Sequence, residues 1–442
     1  AHPHLHDKVE FQVATTALAF DFDDRIAAEI PGALTADALG NYRQALGALT
    51  ADLVTGASAP IEAELRKIAD LAANRTAVMA GRGPRGLGVV ASLLEDCIQN
   101  GTTPFSVLAR HAFIAQNLLL SLIARGVLTS ADVQGFLRSI KTVAGEFAEE
   151  SQGLGDGSIS TAQFMEKYGH LRPGTYDILS QRYDHRDDTF VGRETETEAA
   201  PAFALSSSQR AEIDHLLAAE NFGIGADQLL DYVRQAITGR EYGKFVFTRN
   251  ISDALEEIAA WGASLGLSRA ELSFIEVGTV LDQLTASETG GAKRHLREIS
   301  EDGQKAHETT VALRLPQLLF DEAGTHIIPL QLSQPNFIST ETVRGPCVYL
   351  TTHDEIPDEI SGGIILIESA DPGFDWIFGH NIRGLVTKFG GANSHMAIRC
   401  AEFGIPAAIG CGEQIFDRLC SAGSIEINCA EKHVRPADGL RD

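Results

Sequence analysis

The residues best suited to chemistry lie together in "GGANSHMAIRCAEFGIPAAIG", residues 390–410. A single histidine, His395, stands between the Gly390–Gly391 pair and a helix-like run that stops at Gly404 and Pro406. "RGLVTKFGG" reads as a strand entering a glycine turn, and "SHMAIRCAEFG" as a helix with Ser394 as its N-cap. This puts His395 at the first helical position, where free backbone N–H groups and the positive end of the helix dipole favour an anion. Gly390 and Gly391 let the backbone approach a phosphate closely. The dipole is expected to depress the imidazole pKa and keep one ring nitrogen neutral and nucleophilic. A neutral histidine beside a phosphate cradle suits covalent phosphoryl transfer through nitrogen. A histidine that merely caps or packs is the plainer alternative.

The elements that must position His395 belong to a C-terminal region of distinct texture. From roughly residue 325 short β-branched runs appear, "THIIPL", "CVYL", "GGIILIES", "IRGLVTK" and "SIEIN", separated by Gly, Pro and Asp turns. One helix is expected among them, at about 394–403. Residues 1–324 read as mainly helical. "TADALGNYRQALGALTADLV" and "APIEAELRKIADLAANR" have apolar residues at i, i+3, i+4, and "PFSVLARHAFIAQNLLLSLIARG" is apolar nearly all round, a buried helix stopped by Gly126. "TSADVQGFLRSIKTVAGEFAEE" follows, capped by Thr129 or Ser130, and "SRAE" forms a capping box opening "AELSFIEVGTVLDQL". Residues 184–209 read as a long surface loop. The expected fold is therefore multidomain α and α/β, with a helical domain over 1–324 and a β/α domain over 325–442.

Composition narrows the partners. The chain has 442 residues, 44% hydrophobic and 22% charged, as in a soluble globular protein of two or three domains. A net charge of −24 argues against nucleic acid or an anionic membrane as partner. No apolar run reads as a membrane span. The six cysteines form no C-x-x-C pair and read as reduced thiols, which with the absence of a signal-peptide pattern points to the cytoplasm. The opening "AHPHLHDKVEF" reads as the middle of a longer polypeptide. No metal site is expected in the chain itself.

The histidine segment resembles the phosphohistidine domain of enzymes related to phosphoenolpyruvate synthase and pyruvate phosphate dikinase. Thr387, Gly390, Gly391, Ser394, His395, Ala397, Ile398, Glu402, Gly404, Ile405, Pro406 and Ala407 match the family's pattern, and "ILIESADPGFDWIF" resembles its upstream Asp-Pro segment. Cys400-Ala401 stands where the family has Ala-Arg before the glutamate, so one helix arginine is missing. The resemblance covers about 325–435. It implies that His395 is phosphorylated on a domain swivelling between two sites, with Thr387, Gly390, Gly391 and Ser394 as the phosphate cradle. It also implies ATP and Mg²⁺ held by an N-terminal ATP-grasp domain outside this chain, in the same polypeptide or in trans. "GRGPRG", residues 81–86, fits G-x-G-x-x-G, but Pro84 interrupts it and no β-α-β unit surrounds it, so it reads as a loop.

Two polar clusters in the helical region are candidates for the acceptor site. "HPHLHDKVEF" carries His6, Asp7, Lys8 and Glu10, and "YGHLRPGTYDILSQRYD" carries His170, Arg172, Tyr176, Asp177, Arg182, Tyr183 and Asp184. With "GRGPRG" and "LARHAFIAQNLLLSL" these resemble the central domain of L-glutamine kinases, which make L-glutamine phosphoramidate for capsular polysaccharide. The resemblance implies transfer from phosphohistidine to the amide nitrogen of L-glutamine. Lys8, Arg172 and Arg182 would supply charge, and Asp7, Glu10, Asp177 or Asp184 would hold the α-amino group or take the amide proton. Two alternatives stand. One is the same chemistry on another small acceptor, such as an antibiotic hydroxyl as in rifamycin phosphotransferases. The other is a non-catalytic partner-binding module. An aromatic and aliphatic pocket favours the hydroxyl acceptor, and convergent arginine and carboxylates favour the amino acid.

Overall fold

Helix starts follow local hydrogen-bond signals. Thr35 caps helix Ala36–Val54 through Ala38 N, and Thr129 with Asp132 forms a reciprocal capping box on Ser130–Arg138. Ser268 and Glu271 do the same on Arg269–Leu272. Gly126, at φ +71°, ends the apolar helix Thr103–Ala124. The computed structural model describes residues 17–29, 31–81, 86–186, 203–285, 292–313, 322, 334–351, 357, 360–370, 372–391 and 394–437. His6, Asp7, Lys8 and Glu10, Arg82 and Arg85, most of the 184–209 loop, "THIIPL" and the expected boundary at 324/325 lie outside them.

Two expected helices divide. The run after Thr129 breaks into Ser130–Arg138 and Val143–Asp156, because extended Thr142 caps the second piece through Gly145 N. The run after Ser268 breaks at Glu276, whose extended backbone restarts it as Val277–Asp282. The spine of the helical part is the 39-residue helix Ala226–Ser264, about 58 Å long at the standard rise. It packs against Ile61–Ala80, Leu87–Asp96 and Thr103–Ala124. The last two are joined by the π-helical turn Cys97–Thr102 into one stretch long and apolar enough to cross a membrane by composition, which corrects the reading that no such run exists. Leu108, Ile114, Leu118 and Leu122 on it are fully buried, the arrangement of a core helix.

The C-terminal part is a seven-stranded mixed sheet in the order β1-β5-β4-β3-β2-β6-β7. Its strands are β1 (Asn336–Ile338), β2 (Thr342–Leu350), β3 (Ile364–Ser369), β4 (Gly384–Phe389), β5 (Ala407–Ile409), β6 (Ser424–Asn428) and β7 (His433–Pro436). β2, β3, β4 and β5 run parallel, and Ile364–Ile367 and Gly384–Thr387 are buried without alternation, as strands covered on both faces must be. Helix Gly412–Cys420, not expected from sequence, covers one face with Phe416 and Leu419. Helix His395–Phe403 and the 3₁₀ stretch Pro372–Gly379 cover the other.

That second face also meets the helical part. Phe147, Phe164, Tyr168 and Tyr183 pack with Ile365, Ile367, Trp376, Ile377 and Met396 in one apolar cluster. The two backbones come close at Gly373, where an added Cβ would run into the carbonyl oxygens of Arg172 and Pro173. Tyr183 Oη donates to Gly373 O at 2.8 Å across the same contact. Gly373→Ala is therefore expected to separate the two parts while each stays folded. Hydrogen exchange should speed up over 168–186 and 372–379 yet leave the amides of β3 and β4 protected. Unchanged exchange over both segments would refute the contact's role.

Candidate active site

The helix carrying His395 starts and stops as its sequence dictates. Ser394 lies in extended backbone and accepts from Ala397 N at 3.4 Å, and Gly404 closes the helix at φ +67°. Gly390 takes φ +124°, a conformation L side chains rarely adopt, and a Cβ there would meet Ala370 at 3.1 Å. Ser394 N donates to Gly391 O at 2.9 Å. Thr387 is buried and its hydroxyl accepts from Gly410 N at 3.0 Å, tying β4 to the turn after β5. The turn residues thus fix where the imidazole sits.

His395 is only 6% exposed and lies between carboxylates from both parts of the protein. Its Nε2 is 2.6 Å from Asp375 Oδ1, on the 3₁₀ stretch of its own part. Its Nδ1 is 2.8 Å from Glu241 Oε2, on the long helix, but off the line of a hydrogen bond, so charge holds that contact. Arg399, one helical turn beyond His395, donates to Glu241 at 3.1 Å and to Thr142 Oγ1 at 2.7 Å, and pairs with Glu402. Arg240 Nη1 holds the other oxygen of Glu241 at 3.0 Å.

These charges decide the protonation states. Burial would lower the imidazole pKa, but the Asp375 and Glu241 carboxylates outweigh it and hold His395 above its ordinary value of 6.5. This corrects the expected depression: a helix end carries about half a charge, less than two full carboxylates in contact. Burial would raise Glu241, yet His395, Arg399 and Arg240 hold it well below the usual carboxylate range. Glu402 goes the other way, because its burial exceeds the pull of Arg399.

A cavity of about 40 Å³ opens beside the imidazole. Val143, Phe147, Tyr168, Leu171 and Phe245 give it apolar walls, and Glu241, Lys244, Thr175, Thr248, Asp375, His395 and Arg399 give it polar ones. Segment 168–184 reaches this cavity through Tyr168, Leu171 and Thr175, not through the charged residues that singled it out. Arg172 is buried and donates to the carbonyls of Asp177, Ser180 and Ser252 and pairs with Glu256, stapling its loop to the long helix. Arg182 bridges Asp184 and Asp253. Tyr183 contacts Gly373, His170 is buried against Phe245, and Tyr176 is exposed. Asp177 Oδ1 accepts from Leu179 N. Among the described residues, no group of three or more His, Cys, Asp or Glu is arranged to hold a metal ion.

Sequence reasoning passed over Glu241, Lys244, Asp375 and Arg399. The local signals were present. Glu241, Lys244, Phe245 and Thr248 follow i, i+3, i+4, i+7 spacing, and Arg399 lies four residues after His395.

The raised imidazole pKa makes the contact between the two parts pH-dependent. The stabilisation is fully present below the ordinary value of 6.5 and is lost as pH rises through the raised one. Glu241, held low, adds stabilisation that disappears only in acid. Going from about pH 6 to about pH 9 should therefore loosen the contact, seen as faster hydrogen exchange around His395 after correction for the chemical rate. Asp375→Asn should shrink this dependence. A contact insensitive to pH over that span would contradict the assignment of charge.

The comparisons with known proteins agree with this geometry at the level of one domain. No curated protein matches the chain. Residues 360–431 match the family described as PEP-utilising enzyme, mobile domain, and this segment holds Asp375, His395, Arg399 and Glu402.

Proposed function

We propose that the chain is the acceptor and phosphohistidine portion of an ATP-dependent phosphotransferase. His395 takes a phosphoryl group and passes it to a small molecule bound in the cavity on the helical part, with the amide nitrogen of L-glutamine as acceptor. The observation carrying this reading is the placement of His395 on a matched mobile domain yet facing a cavity walled largely by another part of the chain. A purely structural histidine would have no need of a cavity shared in this way.

The chemistry needs little covalent help. Phosphohistidine is a reactive P–N donor, and loose phosphoryl-transfer transition states are accelerated by positioning and positive charge. Arg399 and Lys244 lie where that charge is needed. On this reading ATP with Mg²⁺ belongs to an ATP-grasp partner domain. The cavity of about 40 Å³ holds no more than about three waters. An acceptor must therefore enter before the two parts close. A hydroxyl acceptor with an apolar body is the second reading, favoured by Phe147, Tyr168 and Phe245 in the walls.

With an ATP-grasp domain supplied, a panel of amino acids, amides and hydroxyl compounds read by phosphorus NMR should yield one phosphorylated product. His395→Ala should abolish it, a loss of at least about 10³-fold for removal of a nucleophile, while thermal unfolding stays cooperative because Ser394 still caps the helix. Product formation by His395→Ala at the wild-type rate would eliminate the phosphohistidine route. A phosphorylated apolar alcohol with unreacted L-glutamine would select the second reading.

A further inference from the structure

We infer that Glu241 is the base that takes the proton from the acceptor and returns it to His395, and that the observed arrangement is the state left when transfer is complete. The inference rests on the phosphohistidine reading above.

Position comes first. Glu241 lines the cavity and also stands 2.8 Å from Nδ1 of His395, so one carboxylate faces both the acceptor space and the imidazole. Arg240 on Oε1 and Arg399 on Oε2 fix its orientation. The other acids near His395 are committed elsewhere. Asp375 is hydrogen-bonded to Nε2 and belongs to the same domain as the ring, so it orients the histidine. Glu402 lies against Arg399 and Thr142 and is absent from the cavity wall. Glu241 alone among these three belongs to the helical part, where an acceptor would wait.

The step balances without any further reactant. The acceptor nitrogen or oxygen attacks phosphorus, the P–N bond to His395 breaks, and its electron pair stays on the ring nitrogen. The proton lost by the acceptor goes to Glu241 and from there to the imidazole. The products are the phosphorylated acceptor, a carboxylate and a neutral imidazole, which then takes one proton from water to give the imidazolium–carboxylate pair that the 2.8 Å contact fits. The high imidazole and low carboxylate pKa values agree, since they leave the proton on the ring at the end.

The test charges the whole chain on His395 with radiolabelled potassium phosphoramidate and follows loss of label. Discharge is measured with L-glutamine, with ethanol as a minimal hydroxyl, and in water alone. Glu241→Gln should still carry label, but its fastest discharge should slow about 100-fold or more, the usual contribution of a general base. Its residual rate should climb about tenfold per pH unit as hydroxide replaces the carboxylate, while wild type stays nearly flat above the carboxylate range. Glu241→Asp, which keeps a base one methylene shorter, should recover part of the loss. A labelled Glu241→Gln chain that discharges as fast as wild type would overturn the base assignment alone. So would a slow variant with a flat pH profile, since that is the signature of a purely structural role. Failure of wild type itself to take label on His395 would remove the phosphohistidine reading and this inference with it.

Discussion

Everything about the site depends on one buried charge cluster that neither part of the chain can complete alone. With His395 protonated, its cations are His395, Arg399 and Arg240, and its carboxylates are Glu241, Asp375 and Glu402, three against three. Burying charges costs several kcal/mol per ion, and only close pairing offsets that cost. Arg240 and Glu241 belong to the helical part and the other four to the sheet part. Separating the parts returns Glu241 and His395 to water, where neither needs the other. The cluster therefore contributes specificity of docking more than net stability, and it ties that docking to the protonation of one imidazole.

The apolar surroundings are consistent with a contact that can open. Phe147, Tyr168 and Tyr183 pack well against Trp376 and Ile377, yet the same interface leaves a cleft of about 320 Å³, partly open to solvent, between Phe113, Leu137 and Arg240 on one side and Phe337, Ile338 and Ile398 on the other. An interface that leaves such a cleft resembles a junction between separable bodies more than the interior of a single domain.

What could be read from sequence divides along the same line. The strand, glycine turn and helix around His395 were legible because each stop is a local signal: Ser394 as cap, Gly390 and Gly404 in backbone conformations suited to glycine. The buried parallel strands were legible as apolar runs. β1, β5 and β7 were not, since three or four residues are too few to show a period. Helix Gly412–Cys420 lacks a side-chain cap and so gave no start signal. In segment 168–184 the density of charge was real, but its cause is structural. A long irregular loop needs Arg172 and Arg182 to satisfy its carbonyls and carboxylates. Glu241 escaped because its partner Arg399 is 158 residues away, and no local pattern reports which face of a 39-residue helix another domain will meet.

The charge balance also bears on the order of events in the proposed reaction. A phosphoryl group on His395 replaces one positive charge with about two negative ones, and the cluster would then hold an excess of about three negative charges by the same count. With nothing else in the cavity, Glu241 would repel the charged domain. An acceptor that brings hydrogen-bond donors or a cation to Glu241, with Lys244 beside it, lowers that barrier. On this argument the docked, acceptor-free arrangement belongs to the unphosphorylated protein, and the phosphohistidine is kept from a water-filled cavity until an acceptor occupies it. The same carboxylate that holds the spent histidine in place would thus turn away the charged one, which protects a hydrolysable intermediate by electrostatics alone.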